Sequence, residues 1–115
     1  LDDNPYIPDL CLYEPQEIDP LHDQVKMTTP PLLAIEILSP TQGTLEILDK
    51  FELLFKAGTK SCWLVEPVAS VVMVFNSPSQ SQTFATGEVI DKTLGIKLSL
   101  TAVFTWQKDN HVDKD

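Results

Sequence analysis

An α/β domain, built as a mixed β-sheet with a packed crossover helix, is the fold class this sequence predicts, and three observations point to it. Leu32-Leu33-Ala34-Ile35-Glu36-Ile37-Leu38 is a nearly continuous apolar run, the pattern of a strand covered on both faces. Thr44 to Ala57 repeats apolar residues at helical spacing and stops at Gly58, a residue suited to the left-handed turn that ends helices. Cys62-Trp63-Leu64-Val65-Glu66 then reads as another strand, so the three segments make a strand, helix, strand unit with enough chain for a crossover.

Taken in order, Pro8 to Tyr13 reads as a short strand, and Pro15 to Pro31 as a polar connection containing Pro20, Pro30 and acidic residues. Ser39-Pro40-Thr41-Gln42-Gly43 breaks the apolar run before the helix. At about 100° per residue, Ile47, Leu48, Phe51, Leu54 and Phe55 share one helix face, with Glu46 and Lys50 side by side at its edge. Pro67 ends the strand after the helix. Val71 to Phe75 and Gln82 to Thr86 form an expected antiparallel pair around Asn76-Ser77-Pro78-Ser79, where turn-forming residues cluster. Ile96 to Leu100 reads as a further strand or edge, and Thr101 to Trp106 as a short helical turn. One domain over residues 1–106 and a charged, aperiodic tail over 107–115 are expected.

With 115 residues, 43% of them hydrophobic, the chain can bury a single core and is too short for two. No stretch approaches the roughly 20 apolar residues of a membrane helix, and no signal-peptide pattern opens the chain, so the expectation is a cytoplasmic protein with no membrane partner. The sequence begins at Leu1 rather than Met and enters a strand almost at once, so the N-terminal part of the domain is expected to lie upstream. Two copies are expected to associate as a homodimer through the apolar surface this would expose.

A net charge of -9 excludes a general nucleic-acid coating protein, whose binding is driven by clustered Lys and Arg. Chemistry on DNA remains open to an acidic chain where a divalent cation joins its carboxylates to phosphate. Cys11 and Cys62 are too few for a disulfide framework or a four-cysteine zinc site, and both are expected to be buried free thiols.

Glu36 is the anomaly of its apolar run. A carboxylate there must be paired, protonated, exposed at an edge or coordinated to a cation; the plainer reading is a strand with one face in solvent. Asp9 stands at a strand entrance, where a turn-capping aspartate is the plainer reading. Together, two carboxylates from successive strands can converge on one hard cation. Lys50 reads as a surface partner of Glu46 or as a cation aimed at the same place. Trp63 alternates with core-like neighbours and is expected to pack rather than stack on bases. Asp49 and Glu52 keep the outer helix face soluble, and His22 and His111 lie in polar segments without a second metal ligand at useful spacing.

Pro8-Asp9, Glu36-Ile37-Leu38-Ser39-Pro40, the acidic Glu46, Lys50, the aromatic Phe55, Ala57-Gly58, Trp63-Leu64-Val65 and Pro67 together resemble the Uma2-type family. The likeness continues through Gly95-Ile96-Lys97-Leu98-Ser99-Leu100 and Phe104, nearly the whole chain apart from the tail. The resemblance implies a restriction-endonuclease-like core with a variant PD-(D/E)xK site: Asp9 and Glu36 would bind Mg²⁺ or Mn²⁺, Lys50 would be the third catalytic member, and Glu46 would support it. The usual lysine place, two residues after the glutamate, holds Leu38, and the family's helix lysine matches Lys50. Where the family often has Asp and Tyr, this chain has Glu46 and Phe55. The implied function is metal-dependent endonucleolytic cleavage of DNA; the alternative is a non-catalytic interaction or assembly domain on the same fold.

Overall fold

The computed structural model describes residues 8–15, 29–41 and 43–109. Most of the expected Pro15 to Pro31 connection, the last residues of the tail, and both His22 and His111 lie outside the described residues. The elements are β1 (Leu10–Leu12), β2 (Leu33–Ile37), α1 (Thr44–Ala57), β3 (Ser61–Glu66), β4 (Val71–Ser77), β5 (Gln80–Phe84), β6 (Glu88–Asp91), β7 (Ile96–Ser99) and α2 (Leu100–Asp109). Helix α1 has the bounds the sequence predicts. Gly58 caps it at φ 118°, and its backbone N–H reaches the Leu54 and Phe55 carbonyls.

Strands β1 to β5 form one sheet in chain order, and β6 with β7 forms a second, two-stranded sheet. β2 and β3 run parallel, joined by α1, and the other neighbours in the large sheet are antiparallel. The α+β architecture is therefore a mixed sheet carrying a crossover helix, as expected. Because side chains alternate across a sheet, β2 feeds two cores. Ala34 joins Ile47, Phe51, Leu54, Cys62, Leu64 and Phe75 under α1. Leu33 joins Trp63, Val65, Val72, Val74, Val89 and Leu100 on the opposite face, beneath the β6–β7 hairpin and α2.

Strand β5 covers Gln80–Phe84, two residues earlier than the expected Gln82 to Thr86, because β4 runs on through Ser77 into a tighter turn, and three further features differ from the sequence reading. Strand β6 was not foreseen, since Glu88-Val89-Ile90-Asp91 has only two apolar residues between charged ends; it pairs with β7 across a turn closed by Gly95 at φ 70°. Helix α2 runs to Asp109, well beyond a single turn. Cys11 is exposed, whereas Cys62 is buried as expected. The reason is topological: β1 is the sheet's edge, outside the area α1 covers.

Candidate metal and nuclease site

The site starts from strand register. Leu10 pairs with Ile35 and Cys11 with Ala34, so one step further along the antiparallel ladder places Asp9 opposite Glu36. Residues so opposed carry Cβ atoms roughly 4.5–5.5 Å apart on the same face. That face is the one beneath α1, since Glu36 alternates with Ile35 and Ile37 and shares its side with Ala34. The Asp9 carboxylate accepts the Ile37 backbone N–H through Oδ2 at 2.7 Å, which ties the strand entrance to the residue after Glu36. Asp9 is exposed, whereas Glu36 is only 4% exposed.

Helix α1 sets the position of Lys50. Phe51 meets Phe75 of β4 edge to face, with ring centroids 5.4 Å apart, so this side of the helix leans toward β4. On a wheel of about 100° per residue, Ile47, Leu54 and then Lys50 follow on the side of Phe51 away from Leu48 and Phe55. Lys50 therefore flanks the buried stripe on the side of β2 and β1. The crossover makes α1 antiparallel to β2, so its first turns lie at the Ile37 end of the strand. Side chains on a helix lean toward its N-terminus, which aims Lys50 at that end too. Its side chain is 29% exposed, and Nζ lies 3.9 Å from Oε2 of the well-exposed Glu46. The surface pairing with Glu46 and the location on the carboxylate side are thus both present.

The two thiols frame this face. Cys11 and Cys62 pair with Ala34 from opposite sides. Burial pushes the Cys62 thiol up to about 12, with the negative charges of Cys11 and Glu36 acting in the same direction. Burial also raises the Cys11 thiol, against a lowering hydrogen bond from the Tyr13 hydroxyl, and Glu36 raises it further. The Tyr13 hydroxyl is itself raised by partial burial and by Cys11. Among the described residues no group of three or more His, Cys, Asp or Glu side chains is gathered to hold a metal ion. Asp9 and Glu36 offer hard carboxylate oxygens, a donor type that suits Mg²⁺ or Mn²⁺, and Mg²⁺ is commonly held by only one or two carboxylates together with water and phosphate.

Sequence reasoning missed one buried polar centre on the opposite face. Asp91, fully buried, accepts from Trp63 Nε1 at 2.8 Å, Ser61 Oγ at 3.2 Å and the Leu94 backbone N–H at 3.2 Å. Trp63 packs in the core as expected, and its indole N–H explains why a carboxylate can sit there.

The family model described as "Putative restriction endonuclease", Uma2, matches residues 1–104. The chain belongs to the Uma2 family. Among solved structures it is similar to a chain described as a "putative nuclease belonging to DUF820" from Anabaena variabilis, with 26% identity and a TM-score of 0.57. That match covers 66% of this chain and 45% of the other, so it spans less than half of the solved protein's length. No curated protein matches significantly. Membership in Uma2 and the likeness to that nuclease agree on a restriction-endonuclease-like fold. Among the described residues no helix is long and apolar enough to cross a membrane.

Proposed function

We propose that this Uma2 chain is a metal-dependent DNA endonuclease that hydrolyses phosphodiester bonds, with Asp9 and Glu36 as ligands for Mg²⁺ or Mn²⁺ and Lys50 as the third catalytic residue. The observation that carries this reading is the opposition of Asp9 and Glu36 on adjacent strands, on the face flanked by Lys50. A bound divalent cation would supply an activated water and shield the phosphate charge. Asp9 keeps its orientation through the Ile37 N–H. Glu36 projects from a strand packed on both faces and is fixed by that packing. Lys50 presents a positive charge to developing negative charge on the phosphate, and Glu46 steadies its ammonium.

A second reading, a non-catalytic interaction or assembly domain, draws on the acidity of the chain and on the sheet's other face. There a cavity of about 290 Å³ opens among Leu10, Ile35, Ile37, Trp63 and Leu98. Association of two copies as a homodimer through this surface belongs to that reading, and a cytoplasmic location is consistent with both. Calorimetric titration with Mn²⁺, followed by a plasmid-nicking assay, separates them. The nuclease reading expects saturable ion binding and Mn²⁺- or Mg²⁺-dependent nicking; an inert scaffold gives neither.

A further inference from the structure

The layer made by β6, β7 and α2 fills only part of the sheet face that looks away from Asp9 and Glu36. Val89 and Leu100 of that layer are buried together with Val72 and Val74 of β4. Toward β1 the layer and the sheet part, and the gap between them is the cavity of about 290 Å³. Leu10 and Ile35, registered partners whose side chains share one face, line it from the sheet, and Leu98 and Val103 line it from the layer. Trp63 and Val65, 3% and 4% exposed, make its floor, and Leu10 and Leu98, 41% and 42% exposed, stand at its mouth.

The chemistry of this lining is set by what it lacks. It carries no ionisable side chain, and its one polar side-chain atom, the indole N–H of Trp63, is already given to Asp91 at 2.8 Å. A water molecule needs two to four polar partners to be held, and these side chains offer it none. An occupant with a charge or an unpaired hydroxyl would be desolvated there without compensation. Charge also weighs against a second copy of the chain, which would bring the same net charge of -9 to the contact. A neutral hydrocarbon group meets neither cost. An apolar cavity of about 150 Å³ takes up benzene, so a recess of twice that volume has room for an alkyl chain of about eight carbons.

We propose that this recess is a binding site for a neutral alkyl or aryl group of about that size, whose polar end stays in water at the mouth between Leu10 and Leu98. The site lies on the face away from Asp9 and Glu36 and is independent of the nuclease reading. A bound chain would bridge the layer and the sheet where they part, and so tie α2 to β1.

The test is an amide NMR titration of the protein with 1-octanol, beside 1,8-octanediol and octanoate. Saturable uptake of 1-octanol with a Kd below about 1 mM is expected, a modest efficiency for a ligand of this size. The shifts should centre on Ile37, Leu98 and Val103 and spare the exposed Leu45 and Leu53 of α1. The diol should bind about tenfold or more weaker, the scale of an unpaired hydroxyl in an apolar site, and octanoate weaker than 1-octanol. Ala102→Phe puts a ring into the recess from α2 and should weaken 1-octanol at least about tenfold, with folding checked by circular dichroism. Leu98→Gln, at the exposed mouth, should weaken it with little effect on folding. Absence of saturable uptake overturns the proposal, as do equal affinity for the diol, unchanged affinity in both variants, or shifts scattered over the surface. Light scattering over a concentration series decides the other occupant: a parent that dimerises, and loses its dimer in Ala102→Phe, assigns the recess to a second copy and overturns the ligand site.

Discussion

Asp9 and Ile37 are joined by a 2.7 Å hydrogen bond from backbone N–H to carboxylate, across strands that are far apart in sequence. This bond gives Asp9 two separable duties, holding the edge strand and offering charge beside Glu36. Asp9→Asn retains an oxygen acceptor for Ile37 but loses the charge, so folding stability should fall by no more than about 1 kcal/mol. Mn²⁺ affinity should fall more than about tenfold, because a neutral amide is a poor substitute for a carboxylate ligand. Asp9→Ala should lose both. Urea unfolding and calorimetric Mn²⁺ titration on the same samples check the separation; equal ion binding by parent and Asp9→Asn removes Asp9 from the metal site.

Cys62 makes stability depend on alkaline pH. Its thiol ionises near 9.0 in the open chain and is pushed up to about 12 when folded, first by burial. Below 9 both states hold the proton and the group is silent. Between 9 and 12 the unfolded chain releases it while the folded one cannot, so stability declines as pH rises, on the order of 2 kcal/mol by pH 10.5. Cys62→Val removes the titrating group with a similar volume. Urea midpoints at pH 8 and 10.5 should show a steeper fall for the parent than for Cys62→Val; parallel falls would show that Cys62 does not contribute.

Asp91 binds the small hairpin to the large sheet. Its carboxylate serves three donors, from Ser61, Trp63 and the turn at Leu94, with no exposure to water. Asp91→Ala strands all three and should cost about 3 kcal/mol or more, a large share of a typical domain's stability. Trp63 fluorescence should move to longer wavelength as the indole gains water. Since the network lies on the face away from Asp9 and Glu36, Mn²⁺ affinity of the folded protein should be unchanged. A silent Asp91→Ala in urea unfolding would contradict the network's importance.

Much of the frame was legible because it depends on local pattern. The apolar run around Glu36 pointed to a covered strand, with a one-sided strand as the open alternative, and Gly58 pointed to the end of α1; both readings come from burial periodicity and backbone conformation, and the structure covers the strand. What stayed hidden depends on contacts between distant segments. Nothing near Asp91 signals that Trp63, 28 residues away, will donate to it. Cys11 has the composition of a buried residue, and only its place on an edge strand, a property of the whole sheet, exposes it. In the candidate site, spacing offered Asp9, Glu36 and Lys50 separately. The register of β1 on β2 and the lean of Phe51 toward Phe75 are what put the three on one side of the sheet.

Lys50 supplies the sharpest division of labour in the proposed reaction. It stands at the edge of α1's buried stripe, ion-paired at 3.9 Å with Glu46, and is assigned to phosphate rather than to metal. Lys50→Ala should leave Mn²⁺ affinity the same or slightly higher, because a positive charge near the carboxylates is removed. Turnover in Mn²⁺-dependent nicking should nevertheless fall about 10²-fold or more, the scale of a lost electrostatic stabiliser. Lys50→Met keeps the apolar stem against the helix flank and should be as slow as Lys50→Ala, which separates charge from packing. Glu46→Gln breaks an exposed pair worth at most about 1 kcal/mol, so it should fold normally and slow nicking far less than loss of Lys50. Glu36→Ala should abolish ion binding and nicking together. If the longest available form of the protein shows no divalent-dependent cleavage, and the Asp9, Glu36 and Lys50 variants all bind Mn²⁺ as the parent does, the interaction-domain reading replaces the nuclease.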